Sequence, residues 1–217
     1  MEGGHVLAKC FYLTQPEKNF PRVPACAECE RGRIGATTWH VNDDEEYMAA
    51  IFGLDIQSQD HPEAKELATG KVMHNLRGKH RKVMDAIIAS LRPVDLVNEF
   101  GILIPNGAVQ FSFHMNCFER VIKRITKALY YLNNRNTILP LDHHVEVVAP
   151  RLHPSEVDRL MNKMMQFPKE RRLGPYTLGD NEVFSYMSIQ IPDDYHHQRY
   201  LMWFYRHYYV VTDTLRI

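Results

Sequence analysis

Two cysteines separated by two residues, Cys26 and Cys29, are the side chains of this sequence best suited to binding a metal ion. A Cys-x-x-Cys pair in a tight turn lets two thiolates reach one tetrahedral ion, and zinc accepts sulfur ligands readily. A structural zinc site has four ligands, so this pair supplies half of one. Cys10, on a neighbouring predicted strand, could donate a third thiolate. The sequence therefore predicts a zinc-binding turn that needs further ligands.

An acidic run and two histidine doublets are the other groups that could bind a metal. In the run 43–46 (Asp-Asp-Glu-Glu), carboxylates at the start of a helix suit the positive end of its dipole, and we favour this interpretation over a metal cluster. The doublets are His143-His144 and His196-His197. Adjacent residues point to opposite faces of a strand, so a doublet rarely gives two ligands to one ion. We predict surface or packing roles for these histidines.

Any contact with nucleic acid requires a local basic patch, because 26 Lys and Arg residues balance 26 Asp and Glu residues. One candidate is the glycine-rich loop after Cys29, and another is the basic run 77–82. A third is the exposed side of a helix predicted over 114–132. A solvated surface is the favoured interpretation for each, with phosphate contact as the alternative. The candidate phosphate contacts are Arg31, Arg33, Lys79, Arg81 and Lys82, with Arg120, Lys123, Arg124 and Lys127 as a second stripe.

Three short motifs, in segments 4–6, 19–30 and 44–47, contain His5, the Cys26 and Cys29 pair, and an acidic run that ends at Tyr47. Together they resemble a bacterial branch of the HNH endonucleases. The later segments 123–131 and 183–186 also resemble features of this branch, so the likeness covers most of the chain. The branch usually has an acidic residue where this chain has Gly4, and a histidine or asparagine where it has Glu30. Its first Cys-x-x-Cys pair, upstream of the histidine, has no counterpart here. The motifs are Gly4-His5-Val6, Asn19-Phe20-Pro21-Arg22-Val23-Pro24-Ala25-Cys26-Ala27-Glu28-Cys29-Glu30 and Asp44-Glu45-Glu46-Tyr47.

The resemblance implies a ββα-metal nuclease that hydrolyses nucleic acid, with DNA favoured over RNA. It implies that His5 is the general base and that Asn19 orients the loop and this base. Glu30 would bind a catalytic Mg²⁺ or Mn²⁺ ion, and Cys26 and Cys29 would bind structural zinc. The departures at Gly4 and Glu30 leave an alternative open, in which an inactive descendant binds nucleic acid or a protein partner.

Composition and periodicity predict an α+β chain in two parts. With 217 residues, 45% of them apolar, the chain can bury a sizeable core. We expect a small ββα-metal unit over residues 1–58 and a domain of helices and antiparallel sheet over 59–217. The absence of a signal-peptide pattern and the sparse cysteines predict a cytoplasmic protein, and no apolar stretch is long enough to span a bilayer.

Local patterns predict the individual elements of both parts. Aromatic residues crowd the last predicted strand, so we expect either a homodimer edge there or helices that cover both faces. The predicted elements are a strand over 5–12, a helix from Asn42 or Asp43 to Leu54, helices within 62–91, a hairpin of 102–104 and 109–113 turning at Pro105-Asn106-Gly107, the helix 114–132, a strand over 145–148, a helix 156–166 capped by Ser155, and strands over 183–191 and 200–212.

Overall fold

A computed structural model describes residues 2–6, 8–11, 21–25, 32, 40–57, 81–110, 114–178 and 183–217. The helices are α1 Val41–Gln57, α2 Arg81–Ser90, α3 Met115–Asn133 and α4 Pro154–Met165. The strands are β1 Glu2–His5, β2 Arg22–Ala25, β3 Arg92–Val97, β4 Leu103–Gln110, β5 His143–Leu152, β6 Arg172–Thr177, β7 Phe184–Gln190, β8 Gln198–Phe204 and β9 Tyr208–Arg216. All their pairings are antiparallel, which confirms the predicted α+β class.

The centre of the molecule is a five-stranded sheet in the order β5-β9-β8-β7-β6, with one helix packed on each face. Side chains alternate along its strands: Tyr200 and Met202 of β8 belong to the core beneath α3, whereas Leu201 packs with Val157 and Met164 of α4. Both faces of the sheet are therefore apolar and both are covered. Of the two alternatives for the aromatic-rich last strands, the structure shows cover by helices on both faces.

Helix α3 is the element whose prediction from sequence was most accurate. Its buried apolar side chains recur every three or four residues and form one stripe, which packs on the sheet. The observed bounds, Met115–Asn133, agree with the predicted helix over 114–132 to within one residue. The stripe consists of Phe118, Val121, Ile122, Ile125 and Leu129.

The N-terminal elements share the core of the sheet through aromatic rings. The ring centroid of Phe52 in α1 lies 4.9 Å from that of Phe204 and 4.3 Å from that of Tyr208. Phe11, in the 3-10 turn Lys9–Phe11, lies 6.1 Å from Phe52. The hydroxyl of Tyr205 also donates a hydrogen bond to the Phe11 carbonyl, at 2.8 Å. The boundary predicted between residues 58 and 59 falls outside the described part of the chain.

The prediction of a hairpin that turns at Pro105-Asn106-Gly107 is wrong. Strand β3 pairs with β4, and the chain reverses at Asn98–Gly101, where Gly101 has φ +76° and the Asn98 side chain accepts hydrogen bonds from Phe100 N and Ile102 N. The segment 105–107 lies inside β4 as a bulge, held by a hydrogen bond from Asn106 N to Asp95 Oδ1. The carboxylate of Asp95, eleven residues away, thus holds Pro105-Asn106-Gly107 in a bulge and not in a turn.

The single strand predicted over 200–212 is also wrong, because it is split into β8 and β9. The turn between them places Tyr205 at φ 51° and Arg206 at φ 61°. Positive φ at both central positions is the feature of a type I′ turn, which normally uses asparagine and glycine. Left-handed backbone costs other residues about 1 kcal/mol or more each. Burial of Tyr205 and its hydrogen bond to Phe11 offset that cost.

Several element ends differ from their predicted positions. Helix α4 is capped by His153, whose side chain accepts from Ser155 N, so Ser155 is not the N-cap. Helix α1 starts at Val41, and Asp43 Oδ2 accepts from His40 N at 2.6 Å, so neither Asn42 nor Asp43 precedes the helix. The predicted strand over 5–12 is instead β1 followed by the 3-10 turn. Strand β5 is longer than predicted, at 143–152.

We predict that Phe52→Ala destabilises the whole protein. The substitution opens a cavity between α1, α3 and the sheet, and removal of a buried phenylalanine ring costs about 3–5 kcal/mol. The free energy of unfolding from urea titration measures this loss. The control is Ile138→Ala, at an exposed apolar side chain, which should change stability by no more than about 0.5 kcal/mol. Equal effects of the two substitutions would contradict the shared core.

Candidate functional site

The predicted nuclease residues are mostly outside the part of the chain that the structure describes. Asn19, Cys26, Cys29, Glu30, Arg31, Arg33 and Lys79 all fall there. His5 is the last residue of β1, and Arg81 is the first residue of α2. Lys82 is described and forms an ion pair with Asp43. The predicted catalytic and metal-binding set therefore stays a prediction.

The backbone around His5 does have the order that a ββα unit requires. Strand β1 pairs antiparallel with β2, with Glu2 opposite Ala25 and His5 opposite Arg22. Strand β2 ends at Ala25, the residue before Cys26, and the next described helix is α1. Within the described residues, two antiparallel strands are thus followed by a helix. The Val41 amide of that helix donates to the Gly32 carbonyl at 3.1 Å.

The acidic first turn of α1 consists of buried carboxylates, each paired with a partly exposed cation. Asp43, Asp44 and Glu45 are all buried. Their partners are Lys82 of α2 for Asp43, Arg120 of α3 for Asp44, and Arg124 of α3 for Glu45. These contacts show why consecutive carboxylates are needed there. Each joins α1 to a neighbouring helix, in addition to the favourable position at the helix N-terminus.

The central pair has the two-point geometry of an arginine–carboxylate contact. Arg120 Nε lies 2.7 Å from Asp44 Oδ2, and Nη2 lies 2.9 Å from Oδ1. This contact raises the pKa of Arg120 above its ordinary value. Burial and the adjacent Asp44 raise the pKa of Cys117 to about 12, so Cys117 is a thiol near neutral pH. It is therefore a packing residue and not a nucleophile.

Ion pairs also occupy most cations of the predicted basic stripe on α3. Arg120 and Arg124 are bound to carboxylates of α1, and Lys123 pairs with Glu119 at 2.8 Å. A phosphate would have to compete with those partners, as it would for Lys82. Lys127 is exposed and forms no ion pair among the described residues. The stripe is thus largely a scaffold feature, which was the favoured interpretation.

The structure has a different basic surface near the C-terminal end of α4. Between residues 159 and 172 the sequence has five lysines and arginines but only one acid, Glu170. Arg159 and Lys163 are four residues apart on the helix and both are exposed, so they lie on one side of it. Lys169 and Arg171 follow in the 3-10 turn Lys169–Arg171. We call Arg159, Lys163, Lys169 and Arg171 the α4 basic surface; within the described chain none of them forms an ion pair.

Sequence reasoning missed the α4 basic surface because its charges are not consecutive. Apolar residues such as Leu160 and Met164 separate them, and only the helical turn and the following 3-10 turn bring them to one region. Arg172 is held at the base of this region, where its guanidinium donates to the Met165 carbonyl at 2.9 Å. A count of net charge over 14-residue windows could have detected the segment.

His143 and His196, one from each histidine doublet, lie side by side near the C-terminal end of α3. The rings of His143 and His196 have centroids 5.2 Å apart in an edge-to-face arrangement. His143 Nδ1 lies 2.8 Å from Asp142 Oδ1, and Nε2 lies 3.1 Å from Asp194 Oδ2. His196 Nδ1 is hydrogen-bonded to the Tyr130 hydroxyl. We call these five residues the histidine cluster.

The two carboxylates determine the charge of His143. An ionised carboxylate can only accept, so a ring with a carboxylate at each nitrogen has to carry both protons. Burial alone would lower the pKa of His143, but the hydrogen bonds to Asp142 and Asp194 outweigh it and the pKa is raised. The pKa of Asp142 is lowered by its hydrogen bond to His143. Burial would raise the pKa of Asp194, yet hydrogen bonds from His196 N and from His143 lower it.

The hydrogen bonds of the histidine cluster give it a structural role. Within the described residues, no group of three or more His, Cys, Asp or Glu side chains is placed to hold a metal ion. His143 has no lone pair to offer while it is doubly protonated. His144, the other member of its doublet, is exposed, as expected for adjacent strand residues. The predicted packing role is confirmed for His143, whose charge joins the start of β5 to the turn before β8.

We predict that this contact makes stability depend on pH. The pKa of His143 is raised above 6.5, so its contribution is complete below pH 6.5 and is lost as the pH rises through the raised value. The pKa values of Asp142 and Asp194 are lowered below 3.8, so their contribution is complete above pH 3.8 and is lost as the pH falls further. His143→Gln should therefore lower the melting temperature most between these two limits.

Melting curves of the wild type and of His143→Gln across this pH range measure the effect. The control is His144→Gln, at the exposed neighbour, which should leave the curve unchanged at every pH. A loss of stability in His143→Gln that is the same above pH 8 as at pH 5 would show that the charge of His143 makes no contribution.

None of the helices in the described part of the chain is both long and apolar enough to cross a bilayer. Comparisons with family models, with curated proteins and with solved structures find no match to this chain. Function therefore has to be argued from the residues of the chain itself.

Proposed function

We propose that the protein is a metal-dependent endonuclease of the HNH type, with an inactive nucleic-acid-binding or protein-binding descendant as the alternative. The observation that supports this proposal most directly is the antiparallel pairing of β1 with β2 ahead of α1. The motif resemblance implies that order of elements, and it places the general base on the first strand. His5 is the final residue of β1.

In this proposal each residue of the motif has one task. His5 takes the proton from the attacking water, for which a neutral imidazole near physiological pH is suited. Asn19 orients this base, and Glu30 binds Mg²⁺ or Mn²⁺ through oxygen. Cys26 and Cys29 hold zinc. A bound divalent ion stabilises negative charge on the phosphate and the leaving oxygen.

The α4 basic surface supports a nucleic-acid substrate. The chain as a whole has a formal net charge of zero, so binding of a polyanion needs a region in which cations outnumber acids. Arg159 and Lys163 are exposed and are not paired with acids of the described chain, unlike Arg120 and Arg124. Their guanidinium and ammonium groups are available to phosphates.

The first test is plasmid nicking by the purified protein in Mg²⁺ or Mn²⁺, together with elemental mass spectrometry. We expect close to one zinc per chain and nicking that His5→Ala reduces at least about a hundredfold, the usual contribution of a general base. His144→Ala, at an exposed histidine of β5, is the matched control and should nick like the wild type.

Other results of this test separate the two candidates. Zinc without nicking would favour the inactive binding protein, which retains the fold of the motif but lacks catalysis. Neither zinc nor nicking, or nicking that His5→Ala leaves unchanged, would exclude the proposed site altogether.

The second prediction concerns the substrate-binding surface. Arg159→Glu/Lys163→Glu should weaken binding to a DNA duplex at least about tenfold and lower the dependence of log affinity on log salt by about one for each phosphate that the variant no longer binds. The control Arg92→Glu/Arg135→Glu changes the net charge by the same amount at two exposed cations that belong to none of the candidate basic patches. Fluorescence anisotropy at several salt concentrations measures both slopes. Equally weakened binding in the two variants would show that only net charge matters.

A further inference from the structure

The hairpin of β3 and β4 stands apart from the rest of the described chain. It forms its own two-stranded sheet, and no third described strand pairs with either edge. An isolated two-stranded hairpin is at best marginally stable in water and normally packs its apolar face on a helix or a further strand. In this protein the large apolar side chains of the hairpin instead face solvent.

The exposed apolar surface of the hairpin is unusually large. Seven of its side chains are between 43% and 78% exposed, whereas a typical monomer has only scattered apolar residues on its surface. Ile88 and Leu91, in and just after α2, extend the same surface. We call the seven side chains the hairpin surface: Leu96, Val97, Phe100, Ile102, Leu103, Ile104 and Val109.

Apolar residues lie on both faces of the hairpin. Leu96 pairs with Ile104, and the next pair, Val97 with Leu103, points to the opposite side. An antiparallel hairpin that belonged to a monomer would have one polar face. Two apolar faces leave more apolar surface exposed than an antiparallel hairpin of a monomer normally has.

Side-chain hydrogen bonds hold both the tip and the bulge of the hairpin. The Asn98 side chain accepts two backbone hydrogen bonds, from Phe100 N at 3.0 Å and from Ile102 N at 2.9 Å, and thereby fixes the tip. Asp95 Oδ1 fixes the bulge through Asn106 N at 2.9 Å. A preorganised surface loses less entropy on association, which favours binding.

We propose that the hairpin surface is a dimerisation site whose partner is a second copy of this chain. Exposed large apolar side chains that are concentrated in one hairpin are the kind of surface that marks a protein–protein interface. This proposal does not depend on nuclease activity.

The charges of the hairpin fit a copy of itself better than a charged partner. Among residues 92–110 only Arg92, Asp95 and Glu99 are charged, and Asp95 is used within the bulge. A two-fold interface brings each surface against itself, so like charges near the axis would repel, and a nearly uncharged surface avoids this. A polyanion or an acidic peptide finds no cluster of cations here.

The two strands favour packing by faces over addition of a strand at an edge. Pro93 lies in β3 and Pro105 in β4, and proline has no amide proton to donate to an added strand. The partner should therefore cover the apolar faces of the hairpin. In a symmetric dimer the two hairpins pack on one another around the two-fold axis.

The test is sedimentation equilibrium of the full chain over the micromolar range, with two variants. The wild type should sediment with the mass of two chains. Val97→Asp/Val109→Asp places the two new charges at positions that do not pair with each other, and it should weaken association at least about tenfold, because it buries like charges against each other across the interface. Ile138→Asp/Leu141→Asp introduces the same charges at two exposed apolar residues away from the hairpin and should remain a dimer.

Circular dichroism of each variant shows whether its fold is retained. The hairpin does not contribute to the buried core of the sheet, so both variants should melt cooperatively with native helix content. A monomeric wild type, or a dimer that the hairpin variant leaves intact, would overturn the proposal. Another segment of the chain, a different protein or a lipid would then be the cover of the hairpin surface.

Discussion

The central sheet is apolar on both faces, and the rest of the fold follows from the need to keep water from both. Buried apolar surface is the main favourable term in folding, so a sheet that carries large apolar side chains on both faces requires a layer on each side. Helix α3 provides one layer and α4 the other. Phe204 shows the consequence, because its ring contacts both Phe11 and Phe52 and so joins the sheet to the N-terminal elements.

Charged groups specify how the helices are placed on that core. The carboxylates of Asp43, Asp44 and Glu45 reach α2 and α3 from a single turn of α1. Apolar packing has little directional preference, whereas a two-point arginine–carboxylate contact fixes both distance and orientation. The pair of Asp44 with Arg120 therefore determines where α1 crosses α3. Lys82, Arg120 and Arg124 are then less available for phosphate, so the α4 basic surface is the better candidate for such contacts.

The two ends of α3 thus have different chemistry. At its N-terminal half lie the ion pairs with α1, and at its C-terminal end lies the histidine cluster, in which burial raises the pKa of Tyr130 to about 12. Further along, Asn134 and Gln198 continue the hydrogen-bonded network at 2.8 Å. Buried polar groups of this kind are stabilising only when each has a partner, and the partners come from four different parts of the chain. The hairpin surface lies outside this network and outside the core, which is the physical basis for assigning it to association.

The sequence by itself determined the features that depend on neighbouring residues. The stripe from Phe118 to Leu129 specified α3, because a helical period is a local property, and alternation over 184–190 specified β7. The α+β class followed from such segments. The Cys26 and Cys29 pair and the motif with His5 were also visible in the sequence, although the described residues do not extend to most of that site.

Only the tertiary structure decided the features that depend on distant residues. The turn at Tyr205 and Arg206 has no asparagine or glycine to reveal it, and it forms because Tyr205 is buried and bonded to Phe11. Asp44 and Arg120 are 76 residues apart, and His143 and Asp194 are 51 apart. Local patterns contain no information about such pairs, since the contact exists only after the core has brought both helices and strands together.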